Sequence, residues 1–174
     1  ISGKSFRTKH IKELIKYNFN DSGSMINYED RLGKKSIGIK FNGKTREYIY
    51  NKNKVKFDEF IGRANVISFI PDDIYLILGN PSMRRNFFDY EISQGNEIYY
   101  KLLKDFNKVL KIRNKLLKEG KSKDELFEVY NDKFIDLSVK IMIKRNEYIK
   151  KMSVLLNLNY RKLFSEKSEL KLQY

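Results

Sequence analysis

An α+β fold, an antiparallel β meander followed by a mostly helical part with a long antiparallel helix hairpin, is what this sequence predicts. Three observations predict it. Runs with a period of two, Ser24–Asp30, Ser36–Phe41 and Thr45–Tyr50, are rich in Ile, Tyr and Phe and are bounded by turn residues. Asn42-Gly43 between two of them is a hairpin signal, because both residues accept positive φ. Beyond Asn96 the period changes to that of a helix and keeps it almost to the end of the chain.

The elements follow in order. Thr8 is a plausible N-cap for a short helix over Lys9–Lys16, and Asn18–Gly23 is a turn-forming cluster. The three strands come next, with Leu32-Gly33-Lys34 as the first turn between them. Phe57, Phe60 and Ile61 lie at helical spacing before Gly62, and Val66–Ile70 reads as a buried strand stopped by Pro71. Pro71-Asp72-Asp73 starts a short helix ending at Gly79, and Pro81-Ser82 starts another. Tyr99, Leu103, Phe106, Leu110 and Leu117, with Leu102, Val109 and Leu116 beside them, mark a long helix that Gly120 breaks. A second long helix carries Phe127, Tyr130, Phe134, Leu137, Ile141, Tyr148, Met152 and Leu155 on a similar stripe, so the two should form an antiparallel pair. Glu169–Tyr174 alternates like a strand beginning. The expected division is 1–80 mixed, 81–165 helical and 166–174 a strand returning to the first part.

Composition limits the function. The 174 residues suffice for one substantial domain or two small lobes, and 41% hydrophobic with 14% aromatic residues can fill a core. The absence of cysteine removes disulfides, thiol catalysis and thiolate metal sites, and fits a reducing cytoplasm. No apolar run approaches the ~20 residues needed to cross a membrane, and the first residues are too polar for a signal peptide. Lys and Arg number 36 against 22 acidic residues, a net charge of +14 that predicts attraction to a polyanion, nucleic acid first and an acidic membrane surface second.

Few residues suggest catalysis. Gly3-Lys4-Ser5 copies the last letters of a phosphate-binding loop, but only two residues precede it and the glycine cradle is missing, so it reads as a short turn. His10 has neither a second ligand nor an acid beside it and is assigned no role. Asp72 and Asp73 could pair on Mg²⁺, yet acids after a proline are also what a helix start prefers, and no metal site is assigned. Basic residues are the stronger signal. Lys4, Arg7, Lys9 and Lys12 precede the first acid; Lys101, Lys104, Lys108, Lys111, Arg113, Lys115 and Lys118 occupy the first long helix; and Lys140, Lys144, Arg145, Lys150 and Lys151 occupy the second. Each set could track phosphates without reading bases, and each could equally be the solvated face of a half-buried helix.

The most specific stretch is Pro71–Asp89, with Pro71-Asp72, Gly79-Asn80-Pro81 and Arg84-Arg85-Asn86-Phe87-Phe88-Asp89 in that order. It resembles the signature of the RecF family of bacterial DNA replication and repair proteins: P-[DE], an apolar pair, G-[small]-P, then R-R-x-[FY]-aliphatic-D. Asn80 and Phe88 depart mildly from it. Gly3–Thr8 and Val109–Leu117 are similar to two further segments of that family, in the same order, so the resemblance covers essentially the whole chain. From the residues alone, Arg85 and Asp89 would be an i,i+4 ion pair on one helix turn.

The resemblance implies an SMC-like ABC ATPase head in which ATP and Mg²⁺ between two protomers drive dimerisation on DNA. Residues 1–80 would then belong to lobe I, 81–165 to helical lobe II and 166–174 to the strand returning to lobe I. The P-loop would precede Ile1, and the signature and Walker B segments would follow Tyr174. The chain is thus expected to be an internal fragment that binds no ATP and is inactive alone. By the same resemblance Arg7 lies near nucleotide or DNA, and Asp72 lies at a nucleotide-sensing hinge. The DNA contacts expected are Lys4, Arg7, Lys9, Lys104, Lys108 and Lys111. The function implied is recombinase loading at single-strand gaps or duplex junctions in replication, recombination and the SOS response of the bacterial cytoplasm, with RecR and RecO as partners and no membrane. Two other readings stay open: a protein-interaction and dimerisation arm without DNA contacts, and an unrelated basic RNA binder.

Overall fold

The alternating runs form one antiparallel sheet in a computed structural model that describes residues 8, 10–164 and 169–172. Its strands are β1 (Ser22–Asp30), β2 (Gly33–Phe41), β3 (Arg46–Tyr50) and β4 (Asn53–Val55), hydrogen-bonded in that order. Ile37 faces Ile26 across one ladder and Tyr50 across the next, which fixes one face as apolar. On that face Ile37 and Ile39 pack with Phe60 of the short helix α1 (Phe57–Phe60). The Tyr48 ring lies 4.8 Å from Phe57 and 4.9 Å from Phe60, tilted in both cases, so the aromatic residues close this small core. A hairpin forms at Asn42-Gly43, but through a loop over residues 42–45 in which Gly43 takes φ 80° and Asn42 does not take positive φ; the Asn42 side chain accepts instead from the Thr45 amide at 2.8 Å.

A second unit begins at Ile74. It contains α2 (Tyr75–Leu78), α3 (Pro81–Gly95), α4 (Glu97–Lys118) and α5 (Glu125–Leu163). Local chemistry fixes the ends. Asn80 and Asn96 cap α3 and α4 by accepting from the amides of Met83 (3.1 Å) and Tyr99 (2.9 Å). After α4, Gly120 takes φ 72°, and the Lys121 and Gly120 amides close on the carbonyls of Leu116 and Leu117, the bonding of a Schellman motif. Ile92, Tyr99 and Ile141 form the core with Leu102, Leu103, Phe106 and Tyr148 around them. Phe106 stacks on Phe134 at 5.4 Å, joining the two long helices.

The unit boundary falls between Asp73 and Ile74 rather than after Asn80. The reason lies in Arg84 on α3, whose Nη1 donates to the Gly79 carbonyl at 2.9 Å and to those of Leu76 and Ile77 at 3.4 Å, tying α2 to the helical part. Gly79 is required there, because a β-carbon would overlap the Tyr75 carbonyl oxygen and press on the Met83 sulfur. Gly79→Ala is therefore expected to lower stability by about 2 kcal/mol, read as a lower midpoint in urea denaturation.

Three expectations are corrected. Val66–Ile70 forms no strand: Ile67 and Phe69 are 94% and 91% exposed, and none of the described strands pairs with this run. The first helix is only a 3-10 turn, Ile11–Leu14, preceded by His10 in an extended conformation; the Thr8 hydroxyl accepts from the His10 amide and donates to Glu13. At the other end, the strand expected over 166–174 lies partly outside the described residues; residues 169–172 carry no strand, and Leu170 is held through both its amide (2.8 Å) and its carbonyl (2.7 Å) by the side chain of Asn157 on α5. Among the described residues no helix is long and apolar enough to cross a membrane.

Candidate nucleic-acid interface

The lysines of α4 fall at 101, 104, 108, 111, 115 and 118. With 100° per residue this 3-4-3-4-3 spacing confines them to an arc of about 100°, in a stripe about 26 Å long. All six are exposed. The buried residues of the same helix, Tyr99, Val109 and Leu116, lie on the opposite side, so the apolar packing of one face presents the basic stripe on the other. Lys101 pairs with Glu97 at 2.7 Å and Lys115 with Glu119 at 3.7 Å, while Lys108, Lys111 and Lys118 form no ion pair among the described residues.

Other basic residues are withdrawn from any such surface. Arg113 turns inward: its guanidinium lies 5.4 Å from the Phe127 ring and 4.9 Å from that of Phe134, and Nε donates to Asn131 at 2.9 Å. Lys140 and Lys144 are neutralised within α5 by Asp136 and Glu147. Arg145 is consumed more completely. Its Nε and Nη2 donate to the two carboxylate oxygens of Asp89, each at 2.8 Å, and the Tyr99 hydroxyl donates to the same carboxylate at 2.6 Å. Burial, and next the Asp89 carboxylate, raise the pKa of Tyr99, so its hydroxyl stays a donor.

This clamp corrects the expected Arg85–Asp89 pair. Asp89 is taken by Arg145 and Tyr99, which are half-buried and buried, whereas Arg85 is exposed and forms no ion pair among the described residues. Of the residues proposed for nucleotide, Arg7 lies outside the described residues, as do Lys4 and Lys9 of the proposed DNA set. Asp72 is exposed at the start of a 3-10 turn, and its neighbour Asp73 accepts from the Ile70 amide at 2.9 Å, which is helix-start chemistry. No group of three or more His, Asp or Glu side chains is placed to hold a metal among the described residues.

No family model matches the chain. Individual relatives do. The DNA replication and repair protein RecF of Alkaliphilus oremlandii is 34% identical over 175 residues, which is 99% of this chain and 48% of that protein. RecF of Clostridium beijerinckii is 37% identical over 175 residues, 98% of this chain and 47% of the relative. A solved structure of the recombination mediator RecF with ATP, from the RecFOR pathway, superposes with a TM-score of 0.84 at 28% identity, covering 93% of this chain and 45% of that one. The chain is RecF-like over nearly its full length. It spans about half the length of the curated relatives it matches.

In this RecF-like chain the signature stretch has a structural explanation at several of its positions. Asn80 caps α3, Pro81 occupies its first turn, Arg84 binds the end of α2, and Asp89 clamps α3 to α4 and α5 through Tyr99 and Arg145. Sequence reasoning missed the inward turn of Arg113 and Arg145. A signal for the first was available, since Arg113 sits four residues after Val109 and three before Leu116, on the apolar side of α4.

Proposed function

We propose that this chain contributes DNA-phosphate contacts to a RecF-type protein acting in bacterial DNA replication and repair. The α4 stripe carries the reading: six exposed lysines on one helix face, within a RecF-like fold, suit a phosphate backbone and offer nothing that would read bases. Lys104, Lys108 and Lys111 are its centre, and Lys4, Arg7 and Lys9 remain proposed contacts at the start of the chain. In a longer RecF-type polypeptide, ATP and Mg²⁺ would drive dimerisation on DNA, with Arg7 and Asp72 near nucleotide. The activity proposed for the whole is recombinase loading at single-strand gaps or duplex junctions, in recombination and the SOS response of the cytoplasm, with RecR and RecO as partners.

Fluorescence anisotropy of a labelled gapped duplex, titrated with the 174-residue chain at several salt concentrations, tests this. The logarithm of affinity is expected to fall with the logarithm of salt with a slope of about −3 to −4, from three or four contacts at about 0.9 each, Lys101 and Lys115 being held by Glu97 and Glu119. No binding at low salt removes the proposal. A specific observation favours the interaction-arm alternative: Ile135, Val139, Met142 and Ile143 on α5 are each about half exposed. A chain that captures RecR while failing to bind DNA would establish that reading instead.

A further inference from the structure

We infer that one end of the four-strand sheet carries a second DNA-phosphate contact, built on Lys34 and Lys52. The inference rests on the DNA-binding reading above and extends it to the first unit. Strand order and register place the β1–β2 turn and the β3–β4 turn at the same end, because β2 begins at Gly33 and β3 ends at Tyr50. A cavity of about 640 Å³ opens there, lined among others by Asn27, Ser36, Asn51, Lys34, Lys52 and Glu29.

The charges in this cleft are unequally satisfied. Lys35 is committed to Asp30 at 2.5 Å. Lys34 and Lys52 are exposed and form no ion pair among the described residues. Glu29 lies across the ladder from Lys34 and is the one carboxylate in the lining, so the uncommitted cations outnumber it, and Arg31 in the adjoining turn adds another. The neutral members suit the same ligand. The Asn51 side-chain oxygen already accepts from the Ser36 amide at 3.0 Å, which leaves its NH₂ group as a donor beside those of Asn27 and the Ser36 hydroxyl. Two cations and several neutral donors match the non-bridging oxygens of a phosphodiester.

The backbone supplies an independent observation. Asn51 and Lys52 have φ of 47° and 68°, the two-residue turn in which the second position favours glycine. A lysine held there gives up stability that glycine would supply, and what it adds is a cation at the margin of the cleft. Because the ligand chemistry is that of a repeating anion, and the α4 stripe already suits the same polymer, the occupant is the backbone of duplex DNA.

The test uses the full chain, a random-sequence duplex, and the variants Lys52→Gly and K34E/K52E. Lys52→Gly is expected to raise the melting temperature by about 2–4 °C, as glycine relieves the turn. The same variant should lower the salt slope by about 1, equivalent to roughly 8-fold weaker binding at 0.1 M salt. K34E/K52E should lower the slope by about 2 with the α4 lysines intact. Unchanged slope and affinity in Lys52→Gly overturns the inference, as does unchanged binding by K34E/K52E when the parent binds. A parent chain that fails to bind at low salt removes this inference and the DNA reading together. Retained DNA affinity with lost binding of poly-glutamate would assign the cleft to an acidic protein and overturn it as well.

Discussion

Asp89→Ala is expected to destabilise the helical unit by about 3 kcal/mol, the cost of leaving a partner charge buried without its counter-ion. Asp89 accepts two bonds from Arg145 and one from Tyr99, and the Arg145 and Asp89 side chains are only 12% and 18% exposed. Removing the carboxylate leaves a guanidinium and a buried hydroxyl competing for solvent that reaches neither well. For a unit of about 100 residues this corresponds to a fall in melting temperature of about 12–24 °C, measured by circular dichroism at the helix band. The double variant Asp89→Leu with Arg145→Met separates lost attraction from uncompensated charge, because it removes both groups and should recover much of the loss. Arg85→Ala, one turn before Asp89 and exposed, should change stability by less than about 0.5 kcal/mol. An Asp89→Ala protein that melts within a few degrees of the parent would show that the clamp is ornamental.

The contrast between Asp89 and Arg85 shows where sequence reading stops. Local spacing correctly indicates the Asn42-Gly43 turn, the Gly120 break, the apolar stripes of α4 and α5, and the lysine stripe, because each of these is decided within a few residues. The same spacing suggests an Arg85–Asp89 pair, but Asp89 is satisfied by an arginine 56 residues away, and no local rule could choose between them. β4 escaped notice because Asn53-Lys54-Val55 is too short and polar to show alternation; the register of β3 and the Asn51-Lys52 turn recruit it. Val66–Ile70 fails in the opposite sense. Its short apolar run reports a preference for a buried strand, and the preference is met only where a neighbouring strand exists, which the described residues do not supply. The Lys34–Lys52 cleft was likewise hidden, since strands folded back on one another bring together residues that the sequence keeps apart.

The larger functional effect is expected from reversing three charges on α4. With Lys104, Lys108 and Lys111 all replaced by Glu, the salt slope should fall by about 2.7, and at 0.1 M salt three such contacts correspond to roughly 500-fold in DNA affinity. The fold should survive, because Glu and Lys have similar helix propensity and all three positions are exposed on the side of α4 away from Tyr99, Val109 and Leu116. Circular dichroism of the variant should therefore match that of the parent. The informative control is K140E/K144E on α5, where Asp136 and Glu147 already balance the lysines. Its slope should change by less than about 1, since lysines held by carboxylates release few counterions when a phosphate approaches. If binding tracks net charge alone, the double variant should lose about two thirds of what the triple variant loses; a much smaller loss assigns the contacts to the α4 stripe. Equal affinity and slope in the triple variant and the parent would leave these six lysines as a solvated helix face and nothing more.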